Sequence, residues 1–224
     1  MKTDKQFYSL FQEAPEVPLS LLPDIPTGAT YAFSAPVVKE TEFRLDGLLT
    51  PEDPALPLVF IEVQMFPDPE FYNRFFSEVF LYLQQFAPNR NWRGLLLLDR
   101  PGLTLGAEDI APGLFATNVT RIYLDELRQQ TDLSAELTLL LLVTATDNQL
   151  AELGQQVLTA TESRLDASRR LELVEAIVVS RMPLLSPEEI QAMLGIATED
   201  LKQTRFAQDL MAEGRQREAM TLVT

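Results

Sequence analysis

Asp46, Glu62 and Gln64 are the side chains whose types and spacing could do chemistry. Asp46 lies in the run Glu42-Phe43-Arg44-Leu45-Asp46-Gly47-Leu48-Leu49, and the other two lie in Leu58-Val59-Phe60-Ile61-Glu62-Val63-Gln64-Met65. Both runs alternate or are continuously apolar, in the manner of half-buried or buried strands. Residues 50–57 between them are rich in turn formers and read as a hairpin connection. Side chains alternate along a strand, so Glu62 and Gln64 share one face while Ile61 and Val63 share the other. If the two runs pair, Asp46 comes near Glu62, because cross-strand neighbours stand about 5 Å apart. Two carboxylates that close are costly unless something positive lies between them, and a divalent cation is the usual answer. The bland alternative is a pair of acids on a solvated strand face. The apolar residues flanking each acid weigh toward a partnered site.

Elimination narrows the chemistry. The chain has neither cysteine nor histidine, which removes disulfides, thiol nucleophiles, Ser-His-Asp triads and ordinary zinc sites. An oxygen-only donor set suits magnesium or manganese before any softer ion. The 224 residues carry a net charge of −15, a poor match for a protein that coats nucleic acid through its overall field. A metal inverts the charge locally, so a weak or transient contact with DNA stays compatible with that balance. No run reaches the roughly 18 apolar residues of a membrane helix. The first residues lead into an amphipathic segment and not an apolar secretion signal, so a cytoplasmic protein is expected, with no membrane partner.

The elements that must position these residues follow from periodicity. An amphipathic helix starts near Gln6, with Pro15 and Pro18 interrupting or restarting it. Tyr31 to Val38 reads as a strand, followed by the two runs above. Pro69 to Phe86 reads as a helix whose stripe is Phe71, Phe75, Val79, Tyr82, Leu83 and Phe86, with Asn73, Arg74, Glu78 and Gln85 largely away from it. Asn91 to Asp99 reads as a central strand buried on both faces. Gly102 to Gly113 reads as a loop, Arg121 to Leu124 as a short strand, and Leu124 to Gln130 as the start of a helix. From Thr131 onward the periodicity is helical. Asp132 to Ser134, Thr146 or Asp147, Ser186 and Thr198 are placed to start helices, one helix runs from about Leu165 to Arg181, and Gly195 ends the helix begun at Ser186. The expected organisation is an α/β core over 1–130, a central mixed sheet flanked by helices, and an all-helical region over 131–224.

Strand Asp, strand Glu-x-Gln, helix and strand, after a leading helix, resembles the PD-(D/E)xK restriction-endonuclease-like superfamily. Phe43-Arg44-Leu45-Asp46, then Phe60-Ile61-Glu62-Val63-Gln64, then the aromatic helix with Arg74, is more closely similar to the Rpn-type recombination-promoting nuclease and transposase family, in a branch described only as a domain of unknown function. The resemblance covers about residues 4–130. It implies that Asp46 and Glu62, helped by the Val63 carbonyl, hold Mg2+ or Mn2+. It also implies that Gln64, standing where the superfamily's lysine would be, orients the attacking water. A helix-one acid often assists in the superfamily, and Glu13 or Glu16 could fill that place, with an exposed surface acid as the plainer account.

Arg74 could contact phosphate, or it could pair with Glu70 or Glu78 four residues away. Arg90, Arg93 and Arg100 could form a modest basic rim, with solvated loop ends as the default. The tail could hold a helix-turn-helix, but its mixed charges fit a packing or oligomerisation unit better. The expected function is Mg-dependent endonucleolytic hydrolysis of DNA phosphodiesters in a recombination or mobile-element setting, with a homodimer if both strands are cut. The alternative is a catalytically weak or inactive interaction protein on the same core, and a phosphoesterase acting on small nucleotides is a third option.

Overall fold

The run that carries Glu62 and Gln64 forms strand β3, Leu58–Gln64, buried up to Val63 and half-buried at Gln64. Its apolar character follows from its place in the sheet. The strands run in the order β1-β2-β3-β4-β5, with β1 Tyr31–Ser34, β2 Gly47–Pro51, β4 Trp92–Leu98 and β5 Val119–Tyr123. β3 is therefore central, bordered by strands on both edges. β1–β2 and β2–β3 are antiparallel, whereas β3–β4 and β4–β5 are parallel, so the sheet is mixed. The computed structural model describes residues 2–26, 28–35, 45–87, 89–109, 111–161 and 163–196. These fall into two compact units divided between Asp132 and Leu133.

In the first unit, helices α1 (Lys2–Glu13) and α2 (Glu16–Leu19) precede the sheet. α3 (Phe71–Phe86) joins β3 to β4, because parallel neighbours need a crossover longer than a hairpin turn. α4 (Pro112–Thr117) leads into β5, and α5 (Leu124–Arg128) follows it. One sheet face packs on α3. Leu58, Phe60, Leu96 and Leu98 form a continuous core with Phe71, Phe75, Phe76 and Val79. Gly94 stands opposite Phe60 in this layer. A Cβ there would lie 2.7 Å from the Phe75 ring, so glycine is what lets the helix approach. On β2, Gly47 makes the same kind of room for Phe33, which also meets Phe11 of α1 edge to face.

Element existence follows the periodicity, and the boundaries move for local reasons. β1 is described only to Ser34, and residues 36–44, including the expected end of that strand and the start of the Asp46 run, lie outside the described residues. α3 begins at Phe71 and not at Pro69, because Asp68 makes a turn of its own, its Oδ1 accepting from Glu70 N–H at 3.0 Å. Phe86 was expected in the buried stripe and is 57% exposed. The loop expected from Gly102 to Gly113 gives way to α4 at Pro112, a helix too short to show a period in sequence.

The second unit begins with α6 (Ala135–Thr144), whose cap Ser134 accepts from Leu137 N–H. α7 (Asp147–Thr159) starts with a Thr146/Gln149 capping box, and α8 (Ala167–Arg181) is capped by Asp166. α9 (Pro187–Leu194) has the Ser186/Glu189 box and ends at Gly195. The further helix expected after Thr198 lies outside the described residues. Buried Glu136 accepts from Ser163 Oγ at 2.8 Å and Arg164 N–H at 2.7 Å, which fixes the α7–α8 connection. No helix among the described residues is long and apolar enough to cross a membrane.

Candidate functional site

β2 and β3 pair with Gly47 opposite Ile61, so one step further along the antiparallel register Asp46 faces Glu62. Asp46 lies in a bend just before β2 and not within a strand. The bend frees its backbone and side chain for two bonds. Asp46 N–H donates to Glu62 Oε1 at 3.1 Å, and Val63 N–H donates to Asp46 Oδ2 at 3.1 Å. Glu62 is thus held by the bend that carries Asp46, and Asp46 by the strand that carries Glu62.

Glu62 is 6% exposed. Burial, then the charges of Asp46 and Glu78, hold its carboxyl well above the usual carboxylate range, and the bond from Asp46 N–H pulls the other way. The acids that act on Glu62 are therefore Asp46 and Glu78. Glu13 is exposed and Glu16 half-buried at the start of α2.

Glu78 corrects the sequence reading, which placed it away from the buried stripe. It is 2% exposed, as deeply set as Phe71 and Phe75 at 1%. Seven residues make nearly two helical turns, so Glu78 comes round to the azimuth of Phe71. The spacing Phe71, Phe75, Glu78, Tyr82 held that information. Only the charge of the side chain argued for water. Burial pushes the Glu78 carboxyl up to about 7, with Arg74 opposing and Asp46 adding to the rise. Its carboxyl is within hydrogen-bonding reach of Glu62.

Arg74 bridges a loop and this layer. Its Nη1 donates to Asp68 Oδ2 at 2.6 Å, its Nε stands 4.0 Å from Glu78 Oε1, and its guanidinium lies over the Phe71 ring. The close partner is thus Asp68, which sequence reasoning did not consider, and the sequence candidate Glu78 is the looser one. Glu70, the other candidate, accepts instead from Asn73 Nδ2. Asp68 is fixed in turn, its N–H donating to Thr104 O of the loop after β4 at 2.8 Å. Gln64 sits at the mouth of the layer, its Nε2 donating to Phe66 O at 2.7 Å.

Asp46, Glu62, Val63 and Gln64 are therefore brought together, and Arg74 approaches them through Glu78. Among the described residues no three Asp or Glu side chains are grouped so that they alone could hold a metal ion. The arrangement is a chain of acids, Asp46 to Glu62 to Glu78, and not a cage. Magnesium suits an open arrangement, because it keeps several waters and takes one or two carboxylates plus substrate phosphate.

A family described as "Protein of unknown function (DUF2887)" matches residues 3–194. The chain belongs to this family. Neither the comparison with curated proteins nor that with solved structures finds a match. The family match runs through both units, from α1 to the end of α9.

Arg90, Arg93 and Arg100 do not form the basic rim that was the alternative to solvated loop ends. Arg93 pairs with Val59 at the start of the parallel β3–β4 ladder and bonds Asp24 at 2.8 Å. Arg90, at the same end, donates to Leu56 O. Arg100 follows the other end of β4, the Gln64 end, and pairs with Asp99 at 3.0 Å. Parallel pairing separates them by the length of a strand.

Proposed function

We propose that this chain is a metal-dependent endodeoxyribonuclease with a PD-(D/E)xK core, of the recombination-promoting kind. One observation carries the reading: Asp46 and Glu62 face each other just beyond the β2–β3 pairing, the Asp46 N–H donating to Glu62 and the Val63 N–H to Asp46, with Glu62 buried. The order α1, three antiparallel strands, α3 as crossover and a parallel β4 supports it.

Asp46 and Glu62 would hold Mg2+ or Mn2+, and the Val63 carbonyl would join them. Val63 turns its N–H toward Asp46, and in a strand a residue's N–H and C=O lie on the same edge. A divalent ion held there would supply acidification of a water and neutralisation of phosphate charge. Gln64 holds its amide nitrogen on Phe66 O, which leaves the amide oxygen to accept a hydrogen bond from the attacking water. The Arg74 side chain, 38% exposed, is open on one side to a DNA phosphate. Cutting both strands would take two copies of the site.

Plasmid DNA incubated with the protein and Mg2+ or Mn2+ tests the reading. Nicking or linearisation is expected from the wild type and none from D46A or E62A. Equal cleavage by all three, or none by any, would refute it. The alternative is a non-catalytic interaction protein on the same core. It is favoured by Gln64 in place of a cation and by the net charge of −15. A stable protein that binds no Mn2+ at millimolar concentration would favour it.

A further inference from the structure

A charged residue at the centre of an aromatic helix face needs a reason. Glu78 is buried on the same helix as the core residues Phe71, Phe75 and Val79, and an apolar side chain there would carry no desolvation cost. Its carboxyl instead lies close enough to Glu62 for each to act on the other, both buried. Behind it stands a second tier. Arg74 Nε is 4.0 Å from Glu78 Oε1, and Arg74 is held by Asp68 at 2.6 Å. Asp68 in turn is tied by its backbone to the loop after β4. We infer that Glu78 is a positioning residue of the Asp46–Glu62 centre: it fixes the Glu62 carboxyl, and the Asp68–Arg74 pair fixes Glu78.

This rests on the metal-centre reading above. The relation is that of an outer partner to a metal ligand, which orients the ligand without touching the ion. Loss of such a partner costs about 10- to 100-fold in metal affinity. The type of replacement then separates the roles. Methionine fills the volume but cannot bond Glu62. Glutamine keeps a hydrogen bond to Glu62 while losing the charge.

Mn2+ titration by calorimetry, with the melting temperature of each variant measured alongside, decides it. D46A tests the centre itself. Wild type should bind Mn2+ and D46A should not. E78M should bind about 10- to 100-fold more weakly while remaining folded, and E78Q should return to within a few-fold of wild type. If E78M fails to fold, D68N carries the test from outside the packed layer, and a several-fold loss of affinity is expected. A folded E78M or D68N with wild-type affinity would overturn the inference and leave the metal centre standing. So would an E78Q as weak as E78M, since that marks a direct ligand. A wild type that binds no Mn2+ overturns both readings.

Discussion

Glu62 on β3 and Glu78 on α3 place their carboxyl groups within hydrogen-bonding reach of each other, both almost fully buried between the sheet and the helix. The two are sixteen residues apart in sequence and on different elements. Their encounter sets two carboxyl groups in what would otherwise be an apolar, largely aromatic layer.

The first consequence is a stability that declines as pH rises. The Glu78 carboxyl ionises near 7 when folded and at its ordinary value near 4.5 when unfolded. Below both values the two states bind the same proton and nothing differs. Between them the unfolded chain has released its proton and the folded one has not, so the folded state loses ground as pH climbs. Above about 7 the loss is complete, on the order of 3 kcal/mol for this group. Glu62 moves in the same direction. Trp92, the one tryptophan, reports the first unit. Its fluorescence in urea should give a higher midpoint at pH 5 than at pH 8 in the presence of a chelator.

Glu62→Gln should stabilise the first unit at pH 8 and change little at pH 5. It removes a buried carboxylate pressed by burial, Asp46 and Glu78 while keeping its shape. The same variant should lose any rise in melting temperature that Mn2+ gives the wild type. Thermal melts at both pH values, with and without Mn2+, check both halves.

Arg74→Gln should act oppositely. Among the described residues, Arg74 is the positive charge that eases ionisation of Glu78. Without it the folded carboxyl holds its proton to higher pH, and the alkaline loss grows. Urea midpoints for this variant should therefore fall below wild type at pH 8 by more than at pH 5.

Gly94→Ala should cost about 1–3 kcal/mol, the usual effect of an overfilled core. The added methyl would stand 2.7 Å from Phe75 Cζ. Phe75→Leu removes the ring that it meets, so the double variant should lose less than the sum of the two single losses. Additive losses in denaturant midpoint would contradict the proposed contact.

Much of the frame was legible in the sequence because it is set by local periods. The apolar run of Leu58–Val63 and the Ser186–Glu189 capping box sit where period and cap chemistry place them. The nearness of Asp46 and Glu62 was legible on the condition that the two runs pair, and the register itself came from the structure. Arg74 was harder. Its partner Asp68 lies six residues away in a turn held by the loop after β4, and no helix spacing rule points there.

The sequence by itself determined which residues could be strands and helices, the shared face of Glu62 and Gln64, and the absence of imidazole and thiol groups. Tertiary structure alone decided that Glu78 is buried beside Glu62. A charged residue at a core azimuth has two readings, water or a partner, and the partner comes from another element. Periodicity gives the direction in which a side chain points, and only packing gives what it meets there.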